Sequence, residues 1–107
     1  MTNPIVDVTP PMVGLSAATE AGVAAAQGAS AGAASAALLG ILEMAGDVTS
    51  IAFANALRAS GAAYVAALTE HTVQRGMFAG AQGIAGATFE ATETARSAAA
   101  ALTSAVL

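Results

Sequence analysis

The chain has 107 residues, of which 56% are hydrophobic and 9% are charged, and its formal net charge is −4. A chain of this length has room for one domain, and its high apolar content argues against intrinsic disorder. The absence of cysteine excludes disulfides and thiolate chemistry, and the three basic residues form no cluster that could bind nucleic-acid phosphates.

Much of the apolar content is alanine, which favours helix strongly but buries little area per residue. Large apolar side chains are therefore few for a domain that must build its own core, and an isolated monomer would be marginally stable. The composition favours a chain that forms one half of an assembly.

The first predicted element is a long helix. Residues 1–8 are expected to be extended, Thr9 is expected to act as the N-cap, and Pro10 and Pro11 suit a first helical turn because the missing N–H groups cost nothing there. Helix one is predicted over about 10–44. Between Glu20 and Glu43 it carries no charge and few large side chains, which favours close approach of another helix.

A turn and a second helix follow. Gly46 and Asp47 predict the turn, with Thr49 or Ser50 as a further capping residue. Helix two is predicted over about 49–95, followed by a C-terminal tail, because no proline interrupts the sequence after this turn. Four glycines predict a kink or fraying in its second half, namely Gly76, Gly80, Gly83 and Gly86.

The sequence thus predicts an all-α fold in which residues 1–107 form a single antiparallel two-helix hairpin. Such a hairpin leaves one flank of each helix uncovered, and here that flank is largely apolar, so a second hairpin is expected to complete a four-helix bundle. The residues predicted to pack against this partner, with the two glycines setting helix approach, are Leu15, Val23, Gly28, Gly32, Leu38, Leu42, Phe53, Leu57, Tyr64 and Leu68.

Residues that could carry catalysis are few. His71 lies at seven-residue spacing between Tyr64 and Phe78, which is typical of a core or rim position rather than of a general base. Glu90 and Glu93 are close enough to share a cation, but no histidine accompanies them, and a solvated helix face explains them better. We therefore expect no enzymatic activity, no metal site and no cofactor.

Several segments resemble the PE proteins of mycobacterial type VII (ESX) secretion. They are Val8-Thr9-Pro10 before the first helix, Met-Ala-Gly-Asp-Val-Thr-Ser in the turn at 44–50, Phe53 early in helix two, and Thr88-Phe89-x-x-x-Glu93. The resemblance covers nearly the whole chain. It implies a helical hairpin that pairs with a PPE-type partner, is escorted by a cytosolic chaperone, and carries a Tyr-x-x-x-Asp/Glu export signal after helix two.

Phe89 and Glu93 fall on the positions of that signal, with phenylalanine in place of tyrosine. The sequence also has Pro10-Pro11 where Pro-Glu gives the family its name, and it lacks a Trp-x-Gly in the turn. Two interpretations stay open. The pair at i and i+4 could be recognised in a partner groove, or Phe89 could end the core while Glu93 pairs with Arg96.

The resemblance implies a substrate, or a targeting or adaptor subunit, of a type VII secretion system. The implied partners are a PPE-like protein or the targeting domain of a toxin, together with a secretion chaperone and the secretion ATPase. The chain would be cytoplasmic before export and then secreted or held at the cell surface. No Lys or Arg precedes Arg58, so neither a Sec nor a Tat signal is expected.

Two alternatives come from other classes of protein. A membrane-inserting or pore-forming hairpin could place residues 21–42 in a bilayer, and Gly28 and Gly32 supply a GxxxG pattern there. Alanine, glycine, serine and Gln27 insert poorly, and no flanking cation orients the span, so a membrane is disfavoured. A homo-oligomer could instead bury the same flank against a second copy.

Overall fold

The computed structural model describes residues 7–106, which form two α-helices joined by a turn. Helix α1 spans Pro10–Leu39 and helix α2 spans Val48–Val106, and no strand occurs within residues 7–106. The helices pack against each other in opposite directions, since the start of α1 lies beside Gly86 and its end lies beside Gly61. The predicted all-α hairpin is confirmed. Most of the segment predicted to be extended, residues 1–6, lies outside the described residues.

Helix α1 begins where the two prolines predict, but its capping differs from the prediction. Thr9 has an extended backbone, and its carbonyl accepts hydrogen bonds from the N–H groups of Met12 and Val13, at 2.9 and 3.3 Å. The Thr9 side chain makes no capping hydrogen bond, so the predicted N-cap oxygen is not used. Because Pro10 and Pro11 have no N–H group, the first turn has fewer donors that require a cap.

Helix α1 ends at Leu39, and the predicted end near residue 44 is wrong. The N–H group of Gly40 still donates to the carbonyl of Ala36, at 3.2 Å, and the chain then leaves the helix. The guanidinium of Arg58 on α2 donates to the carbonyl of Ile41. That carbonyl, which lies beyond the helix end, therefore finds its hydrogen bond across the hairpin.

Asp47 caps the start of α2. Its carboxylate accepts hydrogen bonds from the backbone N–H of Ser50, at 3.0 Å, and from the Ser50 hydroxyl, at 2.7 Å. These two bonds, the hydroxyl first, lower the pKa of Asp47 below its ordinary value because they favour the charged carboxylate. The predicted turn at Gly46 and Asp47 is therefore present, and α2 begins at Val48.

Helix α2 runs without a break to Val106, so the predicted end near residue 95 and the predicted fraying are both wrong, while the kink stays a prediction. A straight helix of 59 residues is about 88 Å long, and the longest dimension of the molecule is 90 Å. No glycine of the described chain adopts a positive φ. Each helical glycine costs up to about 1 kcal/mol, but the alanine-rich sequence between and beyond them favours continuation of the helix.

The core is one line of contact between the helices, which we call the seam. Its positions alternate three and four residues apart, as in an antiparallel coiled coil. On α1 they are Pro10, Val13, Ala17, Glu20, Ala24, Gln27, Ala31, Ala34 and Leu38, and on α2 they are Ala54, Arg58, Gly61, Val65, Leu68, Thr72, Arg75, Ala79, Gln82 and Gly86. Every fully buried residue of the described chain is an alanine or a glycine of this seam.

Two seam glycines lie in close contact with α1. A Cβ atom at Gly61 would lie 2.9 Å from the Cβ atom of Leu38, and one at Gly86 would lie 3.3 Å from Cγ1 of Val13. Small residues on both helices let the backbones approach closely, but they bury little apolar area. The seam therefore fixes the register of the two helices while contributing little hydrophobic stabilisation.

Candidate interaction surface

Most of the large apolar side chains of the hairpin lie outside the seam. Leu15, Phe53 and Tyr64 are each about 60% exposed, and Leu42 is 81% exposed. Val23 and Leu57 are also exposed, whereas Leu38 and Leu68 are half-buried in the seam. Eight of the ten residues predicted to pack against a partner are thus exposed in the hairpin by itself.

Four exposed side chains form a column on α2, directly beside the seam. Leu57, Tyr64, His71 and Phe78 follow one another at seven-residue intervals and are all exposed. Residues seven apart lie almost above one another on a helix, so they present one continuous stripe about 30 Å long. We call this the aromatic column. Helices that face only water carry polar residues at such positions.

Helix α1 presents an outward surface without charge. Its 30 residues include one charged side chain, Glu20, which lies in the seam. The Glu20 carboxylate forms an ion pair with Arg75 of α2 and accepts a hydrogen bond from its guanidinium, at 3.0 Å. The outward faces of α1 consequently consist of alanine, glycine, serine and threonine with a few larger apolar side chains. A surface of this composition is poorly hydrated.

The two glycines predicted to set helix approach differ in their surroundings. A Cβ atom at Gly28 would lie 3.8 Å from Cγ2 of Thr72, so Gly28 already faces α2 of the same chain. A Cβ atom at Gly32 would meet nothing within 4 Å. Sequence reasoning missed Gly61 and Gly86 as the glycines in tight contact. The pattern that could have identified Gly61 is the seven-residue spacing that places Ala54, Gly61 and Leu68 on one stripe of α2.

Phe89 and Glu93 lie where α2 has passed the start of α1. They continue the three-and-four spacing of the seam beyond Gly86, followed by Arg96. The carboxylate of Glu93 pairs with Arg96 at 3.4 Å, and both side chains are largely exposed. Phe89 is 41% exposed and shares a shallow cavity with Asp7 and Val8, which precede α1. The ion pair of the second interpretation is therefore present, while Phe89 is not fully covered.

Groups capable of chemistry stay scattered along the hairpin. No three His, Asp or Glu side chains within residues 7–106 come close enough to hold a metal ion. His71 lies in a shallow depression with the Glu20–Arg75 ion pair and Phe78. Glu70 accepts a long hydrogen bond from Gln74 at 3.5 Å.

The accessible surface is large for the mass of the chain. It measures 7746 Å², whereas a compact monomer of 10.2 kDa has roughly 5,300 Å², which leaves an excess of about 2,400 Å². A stable protein interface covers about 800 Å² on each partner, and obligate interfaces cover more. The excess is thus sufficient for an extensive interface along both helices.

Both helices also meet the length and composition requirements for crossing a bilayer. Each contains an 18-residue stretch with few charges and a mean hydropathy of at least 1.2, and only 11% of either stretch is buried. Length and hydropathy alone do not separate a membrane span from a helix that packs against another protein.

No family model, curated protein or solved structure matches this chain.

Proposed function

We propose that this chain is a non-enzymatic interaction protein, a helical hairpin that docks on a second helical hairpin to complete a four-helix bundle. The observation that carries the proposal is the inversion of the usual pattern. Most seam positions hold small or polar residues, with only four valines and leucines half-buried among them, whereas large apolar side chains such as Tyr64 and Phe78 lie exposed on the outside. Covering them would offset the cost of hydrating them, at about 25 cal/mol for each Å² buried.

The chemistry of the surface favours a helical protein partner. The small, uncharged outer face of α1 allows a backbone to approach closely, and the aromatic column of α2 offers side chains that fill the grooves of a facing helix. Charges are sparse along both surfaces, so affinity would come from packing rather than from ion pairs.

We further propose that this pairing serves type VII secretion, with the chain acting as a PE-like substrate or as a targeting or adaptor subunit. The partner would be a PPE-like protein or the targeting domain of a toxin, with a cytosolic chaperone and the secretion ATPase acting on the pair. The support is the resemblance of the sequence, together with the exposed end of α2 on which Phe89 and Glu93 lie. The chain would then be cytoplasmic until export and secreted or surface-bound afterwards.

The first test is to express the tagged chain alone and together with the products of neighbouring genes, followed by light scattering and circular dichroism. The expected result is a poorly stable chain alone and a one-to-one helical complex with a sharp thermal transition when the partner is present. A stable helical oligomer of the chain alone would replace this proposal by self-assembly. Secretion assays of Phe89→Ala and Glu93→Ala in the complex would then test the export signal.

A membrane-inserting hairpin is the second candidate function, since both helices are long and apolar enough to span a bilayer. Against it stand the seam residues Glu20, Arg75 and Gln82, which would bring polar groups to bilayer depth at a cost of several kcal/mol. Fractionation without detergent separates the two. Recovery of the chain only in detergent would favour insertion and contradict the docking proposal.

A further inference from the structure

The closed end of the hairpin contains an apolar cleft that is separate from the long flanks of the helices. Its floor and walls come from the turn after α1 and from the first three turns of α2, and its volume is about 450 Å³. We call it the tip cleft. Its lining residues are Ile41, Leu42, Glu43, Met44, Thr49, Ser50, Phe53, Ala54 and Leu57.

The tip cleft is held in shape by hydrogen bonds on both sides. The Arg58 guanidinium donates to the carbonyl of Ile41 and to the side-chain carbonyl of Asn55, which fastens the turn to α2. Asp47 holds Ser50 through two hydrogen bonds at the other side. A ligand would therefore meet a largely preformed site and would not have to order the turn on binding.

The shape of the tip cleft suits a protein segment better than a small molecule. Pockets for small ligands enclose most of the ligand surface. Here Leu42 is 81% exposed and Met44 is 93% exposed, so one side of the cleft stays open along its length. An open apolar groove of this kind accepts the apolar face of a helix, with large side chains one turn apart entering it.

The charges at the tip cleft select a basic ligand. Glu43 is the one charged residue among those that line it, and within residues 7–106 Glu43 forms no ion pair. Asp47 adds a second carboxylate nearby in the turn. Arg58, which contacts the cleft residue Ile41, already donates hydrogen bonds to Ile41 and Asn55. An anionic ligand would be repelled, and a Lys or Arg at the rim would find an unpaired carboxylate.

We propose that the tip cleft is a docking site for a basic amphipathic helix of another protein. Two large apolar side chains of that helix, three or four residues apart, enter between Met44, Phe53 and Leu57, and a Lys or Arg on its polar face pairs with Glu43. The site shares Leu57 with the aromatic column, and its other lining residues lie outside that column and outside α1. Phe53→Ser is therefore the variant that separates binding at the cleft from binding at the column.

The test uses the full chain, in the soluble form obtained alone or with its partner, and two designed helical peptides of 18 residues. Both carry leucines and one tryptophan on a single face, and they differ only in having lysine or glutamate on the other face. The chain itself has no tryptophan, so for the chain alone all tryptophan emission comes from the peptide. In a complex, the emission of the complex without peptide is subtracted.

The lysine peptide should bind with a blue shift of its emission, and the glutamate peptide should bind at least about tenfold more weakly, which corresponds to about 1.4 kcal/mol. Phe53→Ser and Leu57→Ser should each weaken the lysine peptide by about tenfold or more. Glu43→Gln should weaken it by about two- to fivefold, as for an exposed ion pair. Phe78→Ser, an exposed aromatic of the same helix outside the cleft, is the matched control and should leave affinity within about twofold.

Equal affinity for the two peptides, the absence of binding, or equal loss in Phe53→Ser and Phe78→Ser would each overturn the proposal. The same variants are scored separately for co-purification with the bundle partner. Loss of peptide binding in a chain that still pairs identifies the tip cleft as its own site. If the chain binds the lysine peptide through the cleft but pairs with no helical protein, the docking site is supported and the proposed function is contradicted.

Discussion

The seam and the outer faces of the same two helices differ in where the bulkiest apolar residues lie. Between the helices lie alanine, glycine, several polar side chains and four half-buried valines and leucines, and the buried positions are all alanine or glycine. On the outside lie Phe53, Tyr64 and Phe78, each more than half exposed. In a self-sufficient hairpin the large apolar residues would occupy the seam. The difference indicates that the seam positions the helices, while the outer faces hold most of the area available for stabilisation by another molecule.

The contrast should be clearest when a large side chain is forced into the seam. Gly61→Leu is expected to destabilise the hairpin by about 1–3 kcal/mol, because the Cβ atom alone would lie 2.9 Å from the Cβ atom of Leu38, which is fixed to the α1 backbone. Thermal unfolding followed by circular dichroism measures the effect. Gly76→Leu is the matched control on the same helix, because a Cβ atom there meets nothing within 4 Å.

The control should be more stable than the starting chain by up to about 1 kcal/mol, since leucine favours helix over glycine. If Gly61→Leu were as stable as Gly76→Leu, the seam would not be the contact that orders the hairpin.

On the outer face the expected effect is on pairing rather than on folding. Tyr64→Ala should change the stability of the free chain by less than about 0.5 kcal/mol, because Tyr64 is 59% exposed. It should weaken the complex with a helical partner by about 2 kcal/mol, as central aromatic residues of interfaces do. Calorimetric titration measures the second quantity, and Thr69→Ala, on another exposed face of α2, serves as control. Unchanged affinity would exclude the aromatic column from the interface.

A smaller effect is expected from the ion pair in the seam. Glu20 and Arg75 are 27% and 38% exposed in their side chains, so water screens their attraction. A double-mutant cycle of Glu20→Gln and Arg75→Gln should give a coupling energy of about 0.2–1 kcal/mol that decreases at high salt. A coupling above about 3 kcal/mol would show that the seam is drier than the two exposures indicate.

The smallest effect concerns the cap at the end where the seam closes. The pKa of Asp47 is lowered in the folded chain by its hydrogen bonds to Ser50. The carboxylate therefore stabilises the fold above its unfolded pKa of 3.8, and this contribution is lost as the pH falls through the lower folded value. The melting temperature of the starting chain should fall below about pH 4 more than that of Asp47→Asn, whose amide can still cap the helix. If the melting temperatures of the starting chain and of Asp47→Asn changed with pH in the same way, Asp47 would not be the source of the pH dependence.

The elements themselves could be read from the sequence. Pro10 and Pro11 mark the start of α1, Gly46 and Asp47 mark the turn, and the absence of proline afterwards predicts one long second helix. These features follow from local backbone chemistry, because proline lacks an N–H group and an aspartate carboxylate can accept one at a helix start. The predicted exposure of a large apolar flank also followed from composition, since two helices alone cannot cover it.

Tertiary structure decided which stripe of each helix became the seam and where α1 ends. In an alanine-rich helix several stripes share the same three-and-four spacing, so the spacing alone does not select the stripe that packs against the other helix. Close packing selected the stripe that contains Gly61 and Gly86, because only small residues let the backbones approach. Likewise α1 ends at Leu39, and the Ile41 carbonyl beyond that end is satisfied by Arg58, 17 positions further along the chain, a contact that no local pattern near residue 40 contains.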